Sequence, residues 1–314
     1  MKLWSNKKLH TPDEQLRKPA FGPAYFFQRR RNVIISLHSV GRMGEIFPIR
    51  FGTSGFSAEG WVGTFYPDKT QPKDFLQQYA KRLDTVEIDS TFYRIPAPQT
   101  VRNWYEQTPE GFVFAAKVTQ TITHEKCMED CDDELALYLS GICELGEKLG
   151  PLLLQFPYYS KKSGVTAQDF AGRLERFLPK LPREVKFAVE IRNKTWLGPR
   201  LLDALRKHGV ALAIIDHPWM PRPKQMLGSD PITADFAYNR LLGDRYGIEE
   251  ITKTWDKTVV DKSREIDEWT EVMNVLQKRV PVYTFVNNHF AGHAPATIAE
   301  LKKRLGLSSA VAAV

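Results

Sequence analysis

Five apolar runs in this chain end on polar residues, and segments with helical spacing separate them. They are Thr85-Val86-Glu87-Ile88-Asp89, Leu152-Leu153-Leu154-Gln155, Phe187-Ala188-Val189-Glu190-Ile191-Arg192, Ala211-Leu212-Ala213-Ile214-Ile215-Asp216 and Val282-Tyr283-Thr284-Phe285-Val286-Asn287-Asn288. Strands that alternate with helices run parallel, because each crossover carries the chain back to the starting end. Parallel strands present all their carboxyl ends at one face. The polar endings therefore gather in one place, which is where α/β proteins keep their sites.

From Ile49 onward the strand-like runs are 49–53, 85–89, 112–117, 152–155, 186–191, 210–215, 232–238 and 282–286. Helix signals stand between them. Pro72 and Pro98 suit first turns. Asp132 or Asp133 precedes a face of Leu135, Leu139, Ile142, Leu145 and Leu149 that Gly150 closes. Thr166 and Asp169 form a capping pair. Further helices are expected over 199–208, 263–278 and 294–305. This alternation predicts a (β/α)₈ TIM barrel, a fold of typically about 250 residues. A doubly wound open sheet is the alternative. Gly52-Thr53-Ser54-Gly55 lacks the Gly-x-Gly-x-x-Gly pattern, so a dinucleotide site has little support.

The organisation expected is an arm over residues 1–48, a barrel over 49–307 and a flexible tail over 308–314. The arm holds nine basic and three acidic residues, hence six of the seven net positive charges of the whole chain. The body is close to neutral, so a basic stripe for phosphate backbones is not implied. Nucleic acid would have to use the arm. Met43 lies just ahead of the first strand, which leaves a genuine extension and an over-long start as alternatives. No apolar run approaches the roughly 20 residues that span a bilayer. Three cysteines make no disulfide framework, which points to a reducing, cytoplasmic setting. Cys127, Cys131 and Cys143 do not have zinc-site spacing. No pattern specifies an oligomeric state.

Strand parity sorts the polar endings. Side chains two apart share a face, so Glu87 goes with Asp89 and Glu190 with Arg192. Val86, Ile88, Val189 and Ile191 then face the helices, and Glu87 and Glu190 face the barrel interior near its top. Two such carboxylates are open to three readings: an acid/base pair, ligands for a divalent metal joined by Asp216 and a histidine, or a buried ion network with Arg192 or Lys117. His124 follows the third strand and can reach the same mouth. His217 follows Asp216 directly and points away from it. His289 and His293 flank Gly292, without a metalloprotease spacing. Phe92 and Tyr93, with Trp61 and Tyr66, either wall a pocket or hold long loops down. Tyr238 and Arg240 share a face at the seventh strand, where an arginine suits a phosphate or carboxylate.

Several of these segments, in order, resemble the YecE-like family of uncharacterised TIM barrels, a domain-of-unknown-function family. The resemblance rests on Gly52-Thr53-Ser54-Gly55-Phe56 with Trp61 and Phe65-Tyr66-Pro67, on Thr85 to Tyr93, and on Thr121-Ile122-Thr123-His124. It continues through Leu149-Gly150-Pro151, Gln155-Phe156-Pro157, Glu190-Ile191-Arg192, Asp216 with Pro218, and Phe285 to Asn288. It covers roughly residues 49–305 and implies the barrel without supplying a reaction. Asp89, Leu242 and His289 stand where the family's pattern has Asn, His and an acidic residue.

The functional expectation is an enzyme-like pocket at the carboxyl ends of the strands. Glu87, Glu190, Asp216 and Lys117 are the candidate catalytic groups. Lys117, Arg192 and Arg240 would neutralise an anionic substrate. Gln155, Asn287, Tyr238, Phe92, Tyr93 and His124 would orient it. A hydrolase or lyase acting on a small anionic, sugar-like or nucleotide-like ligand fits best, with no cofactor specified beyond a candidate divalent metal. A non-catalytic binding or scaffold protein and a metal-dependent nuclease are the alternatives.

Overall fold

A computed structural model describes residues 46–307 of the chain. The basic arm, apart from its last three residues, and the tail lie outside the described residues. Eight parallel strands form one sheet in the order β1-β8-β7-β6-β5-β4-β3-β2. They are β1 (Ile49–Thr53), β2 (Thr85–Ile88), β3 (Val113–Lys117), β4 (Leu149–Gln155), β5 (Phe187–Glu190), β6 (Ala211–Asp216), β7 (Ala237–Leu241) and β8 (Val282–Val286). The seam between β1 and β2 is drawn nearly shut by one parallel bridge, Ser54 to Glu87. The Gly55 amide donates to the Glu87 carbonyl at 2.8 Å beside it. Gly52 permits this approach, since a Cβ there would lie 2.3 Å from the Thr85 carbonyl oxygen.

Helices wrap the sheet: α1 (Phe75–Tyr79), α2 (Pro98–Glu106), α3 (Asp132–Ile142), α4 (Ala167–Phe177), α5 (Pro199–His208), α6 (Pro223–Met226), α7 (Arg245–Ile251), α8 (Ser263–Leu276) and α9 (Ala294–Arg304). The expected capping box opens α4: the Asp169 amide donates to Thr166 Oγ1 at 3.1 Å and the Thr166 amide to Asp169 Oδ2 at 3.0 Å. The strands read as unbroken apolar runs because both their faces are covered; every residue of β6 is buried. Among the described residues, no helix is long and apolar enough to cross a membrane.

Two elements differ from the sequence expectation. β4 begins at Leu149, three residues early, and the preceding helix ends at Ile142. Gly150 is therefore not a helix stop. A Cβ there would lie 2.4 Å from Val113 Cγ1, so the glycine lets β4 pack against β3, where the register shifts between Phe114 and Ala116. β7 lies at Ala237–Leu241 instead of 232–238. The earlier apolar stretch serves β6: Thr233 Oγ1 accepts from the Leu212 amide at 2.8 Å and donates to the Val210 carbonyl at 2.7 Å. Tyr238 and Arg240 thus sit inside a central strand. The segment after β7 carries α7.

Register defines the barrel's interior. Glu87 pairs with Ala115, Leu153 with Ala188, Gln155 with Glu190, Ala213 with Tyr238, and Arg240 with Phe285. Register partners share a face, so the small side chains of Ala115, Ala188 and Ala213 leave room for Tyr238 and Arg240. A barrel interior is filled by side chains in this way and is not a pore.

Candidate functional site

The floor of the carboxyl-end mouth is one ion cluster. Arg240 is 1% exposed, and Glu87 and Glu190 are fully buried. The Arg240 guanidinium grips Glu87 through Nε (2.9 Å to Oε2) and Nη2 (2.6 Å to Oε1). Its Nη1 donates to Glu190 Oε2 at 2.5 Å. Tyr238 Oη donates to Glu87 Oε2 at 2.6 Å, and Ser54 Oγ to Glu87 Oε1 at 3.2 Å. The planar guanidinium fork suits two carboxylates at once.

Above the floor, charge continues to the opening. Arg192 Nε donates to Glu190 Oε1 at 3.0 Å. Lys117 Nζ lies 3.0 Å from Asp89 Oδ1 and 5.7 Å from the Phe92 ring centre. Burial would raise the carboxyl of Glu190, but Arg240, Arg192 and Lys117 outweigh it and hold the group down at about 2. Asp89 is likewise lowered, with Lys117 and Arg240 overcoming burial. Burial and the charge of Glu87 push the Tyr238 phenol far above its ordinary range. The cluster thus sets the carboxyl groups of Glu87, Glu190 and Asp89 against Arg240, Arg192 and Lys117.

Two histidines edge this cluster. His124 Nδ1 is 2.9 Å from Thr123 Oγ1, and its ring meets Phe92 edge-on at 4.9 Å. Burial, then Arg192 and Lys117, lowers its pKa. His217 Nε2 lies 3.3 Å from Arg192 Nη1, and its Nδ1 accepts from the Trp219 amide at 3.2 Å. With Nδ1 accepting from the Trp219 amide, the one proton of the neutral ring sits on Nε2 beside the Arg192 guanidinium, and a second proton on Nδ1 would face the Trp219 N–H. Burial and Arg192 accordingly pull His217 down to about 4.

The expected site residues divide into two groups. Glu87, Glu190, Lys117, Arg192, Tyr238, Arg240 and His124 come together, with Phe92 beside them. Tyr93 stands outside, strongly exposed, against Phe92. Gln155 shares the inward face of Glu190. Arg240, expected to meet a ligand, is spent beneath the surface on the two glutamates. Asp216 is not in the cluster. Ile215 pairs with inward Arg240, so Asp216 faces the helix layer. There Arg222 Nη1 donates to it at 3.0 Å and Trp269 Nε1 at 3.2 Å. Asn287 serves its own turn: Oδ1 accepts from the His289 amide at 2.9 Å. Trp61 and Tyr66 are buried in a ring cluster with Phe65, Phe75 and Tyr79, and they wall no opening.

Sequence reasoning put Asp89 on the face of Glu87 without giving it a role, and missed His217, Tyr158 and Trp219 as members of the mouth. Counting parity from Asp216 in the outward sense would have turned His217 inward. Among the described residues no three His, Cys, Asp or Glu side chains group to hold a metal ion. The oxygens of Glu87 and Glu190 already bind cations and Tyr238, so the donor set does not suit a divalent ion.

A buried ion cluster beneath a charged rim at the carboxyl ends of eight parallel strands defines a TIM-barrel protein with a mouth-side candidate site. A family model described as "Protein of unknown function DUF72" matches residues 50–313, and the chain belongs to that family. It is 31% identical over 146 residues to the UPF0759 protein YecE of Escherichia coli, covering 45% of this chain and 52% of YecE, about half its length. Identity to the UPF0759 protein YunF of Bacillus subtilis is 24% over 260 residues, 76% of this chain and 89% of YunF. A crystal structure of a DUF72 family protein from Thermotoga maritima has a TM-score of 0.65 at 25% identity, covering 82% of this chain and 99% of that one.

Proposed function

We propose that the mouth binds a small anionic ligand and that the protein is a hydrolase or lyase acting on it. Lys117 and Arg192 hold the anion, and His124 moves the proton. Glu87, Glu190 and Asp89 are fixed counter-charges in this reading, not an acid/base pair, because Glu190 stays ionised down to about pH 2 and both glutamates are fully buried and paired with Arg240.

The supporting observation is the half-used guanidinium at the opening. Arg192 carries five N–H donors and gives one to Glu190, while its Nη1 lies 3.3 Å from His217 Nε2. Its side chain is 23% exposed. The remaining donors stand at the mouth on a group whose orientation Glu190 sets from below. Preorganised donors of this kind stabilise developing negative charge without reorganising. His124, neutral at physiological pH, has the form a general base needs.

The test uses calorimetric titration of purified protein with inorganic phosphate and phosphorylated sugars, beside a turnover assay on the same panel. Wild type should bind at least one such anion, more weakly as salt rises. A Lys117→Met/Arg192→Gln variant should lose that binding at least tenfold, and His124→Asn should lose turnover with binding intact. Undiminished binding by the double variant sinks the anion site. Binding with no turnover across the panel sinks the catalytic half and favours a non-catalytic binding protein.

A further inference from the structure

Two large rings stand exposed on the rim, and the fold ties both of them to the anion site. Trp219 is 50% exposed and Tyr158 is 52% exposed. Their ring centres lie 5.2 Å apart at 60°. They come from different loops, Tyr158 after β4 and Trp219 after β6, so no local sequence preference pairs them. Trp219 leans on the His217 ring at 5.0 Å and donates its amide to His217 Nδ1; His217 in turn touches Arg192. On the other side Asn193, the residue after Arg192, holds Tyr159 twice. Its Oδ1 accepts from the Tyr159 amide and its Nδ2 donates to the Tyr159 carbonyl, both at 2.9 Å. Tyr159 also stacks on Trp196 at 5.3 Å. The backbone next to each exposed ring is therefore pinned to residues 192 and 193.

We propose that Tyr158 and Trp219 form a stacking platform for a planar ring carried by the anionic ligand. The ligand class is an aryl or heterocyclic-base phosphate or carboxylate of mononucleotide size. This rests on the anion-binding reading of the mouth. Two exposed rings held against each other from different loops, unlike rings scattered singly, offer a surface that a planar ring can cover. Stacking tolerates many ring types, while the Arg192 guanidinium, beside the His217 ring that Trp219 leans on, demands negative charge. Charge complementarity thus selects a ring with an anionic arm over an uncharged apolar partner. Among the described residues, Tyr93 and Tyr246, the other strongly exposed tyrosines, have no such link to Arg192.

Calorimetric titration with adenosine monophosphate, phenyl phosphate, ribose phosphate and inorganic phosphate tests this on the full chain. The two ring-bearing anions should bind wild type about tenfold more tightly than the two ring-free ones, a typical stacking increment. Trp219→Leu and Tyr158→Leu should each erase most of that preference and leave ribose phosphate binding within twofold. Both side chains are half outside, and an unchanged melting temperature checks that the fold survives. Equal affinity for ring-bearing and ring-free anions overturns the platform and leaves the anion site standing. Binding of none of the four removes the anion site, and the platform with it. Two further results would also overturn a single-ring occupant. One is a single-stranded oligonucleotide binding far more tightly than the monophosphate, with affinity growing with length. The other is self-association that Trp219→Leu abolishes.

Discussion

Two carboxylate clusters in this protein are clamped by arginine, and they behave in opposite ways. Inside the barrel, Glu87 and Glu190 share Arg240, with Arg192 and Lys117 close by. Outside it, between β6 and α8, Asp216 has the half-exposed Arg222 and the indole N–H of Trp269, and Arg222 divides itself with Glu268. Three cations overcome burial at Glu190 and hold its proton affinity down. At Asp216 burial wins over Arg222 and raises it. The sign of a buried carboxylate's shift follows the number and enclosure of its cations, not burial by itself.

The sharpest way to break the contrast is Arg240→Met. It strands two buried carboxylates, so equilibrium unfolding in urea should show a loss of about 3–5 kcal/mol. Asp216→Asn keeps an acceptor for Trp269 and leaves Arg222 its Glu268 partner, so the same measurement should show about 1 kcal/mol or less. Equal costs at the two sites would mean that the inner cluster is no more enclosed than the outer one.

Titration of stability separates the clusters by sign. Glu190 is depressed, so the folded state releases its proton more readily than the unfolded chain does. Its contribution is present above the ordinary value of 4.5 and is lost as pH falls toward about 2. Asp216 is raised above 3.8, so its contribution is present below that value and is lost as pH rises through the folded pKa. Melting temperatures recorded from pH 2 to 7 should therefore lose acid sensitivity in Glu190→Gln, whereas Asp216→Asn should be relatively more favourable at neutral pH than at acid pH. The same direction of change in both variants would refute the distinction.

His217 provides the smallest effect. Its ordinary value of 6.5 falls to about 4 in the fold. Between those limits the unfolded chain binds a proton that the folded one does not, so stability declines as pH falls through the window. His217→Asn should flatten that part of the curve. Direct NMR titration of the ring should find it neutral at pH 5; an imidazolium there would refute acceptance of the Trp219 amide by Nδ1.

Much of the inner cluster was legible because its cause is local. Alternation along β2 and β5 put Glu87 and Glu190 on the same kind of face, and that parity holds without knowing the neighbouring strands. The apolar runs and the Thr166/Asp169 cap were legible for the same reason. Asp216 misled because a polar residue ending an apolar strand looks alike on either face; only its register against Arg240 shows that it points outward. β7 was displaced in the sequence reading because Asn239 and Arg240 within it argue against a buried strand. That argument fails when two glutamates arrive from positions 50 and 153 residues away.

By itself the chain determined a barrel of parallel strands with acids near one end, since period-two and helical spacing are properties of a few consecutive residues. Tertiary structure decided which charge neutralises which. A buried guanidinium is tolerable only where distant strands deliver its counter-ions. The same packing decided that the glutamates would be sealed and that Arg192, with its ring-bearing neighbours, would meet the solvent.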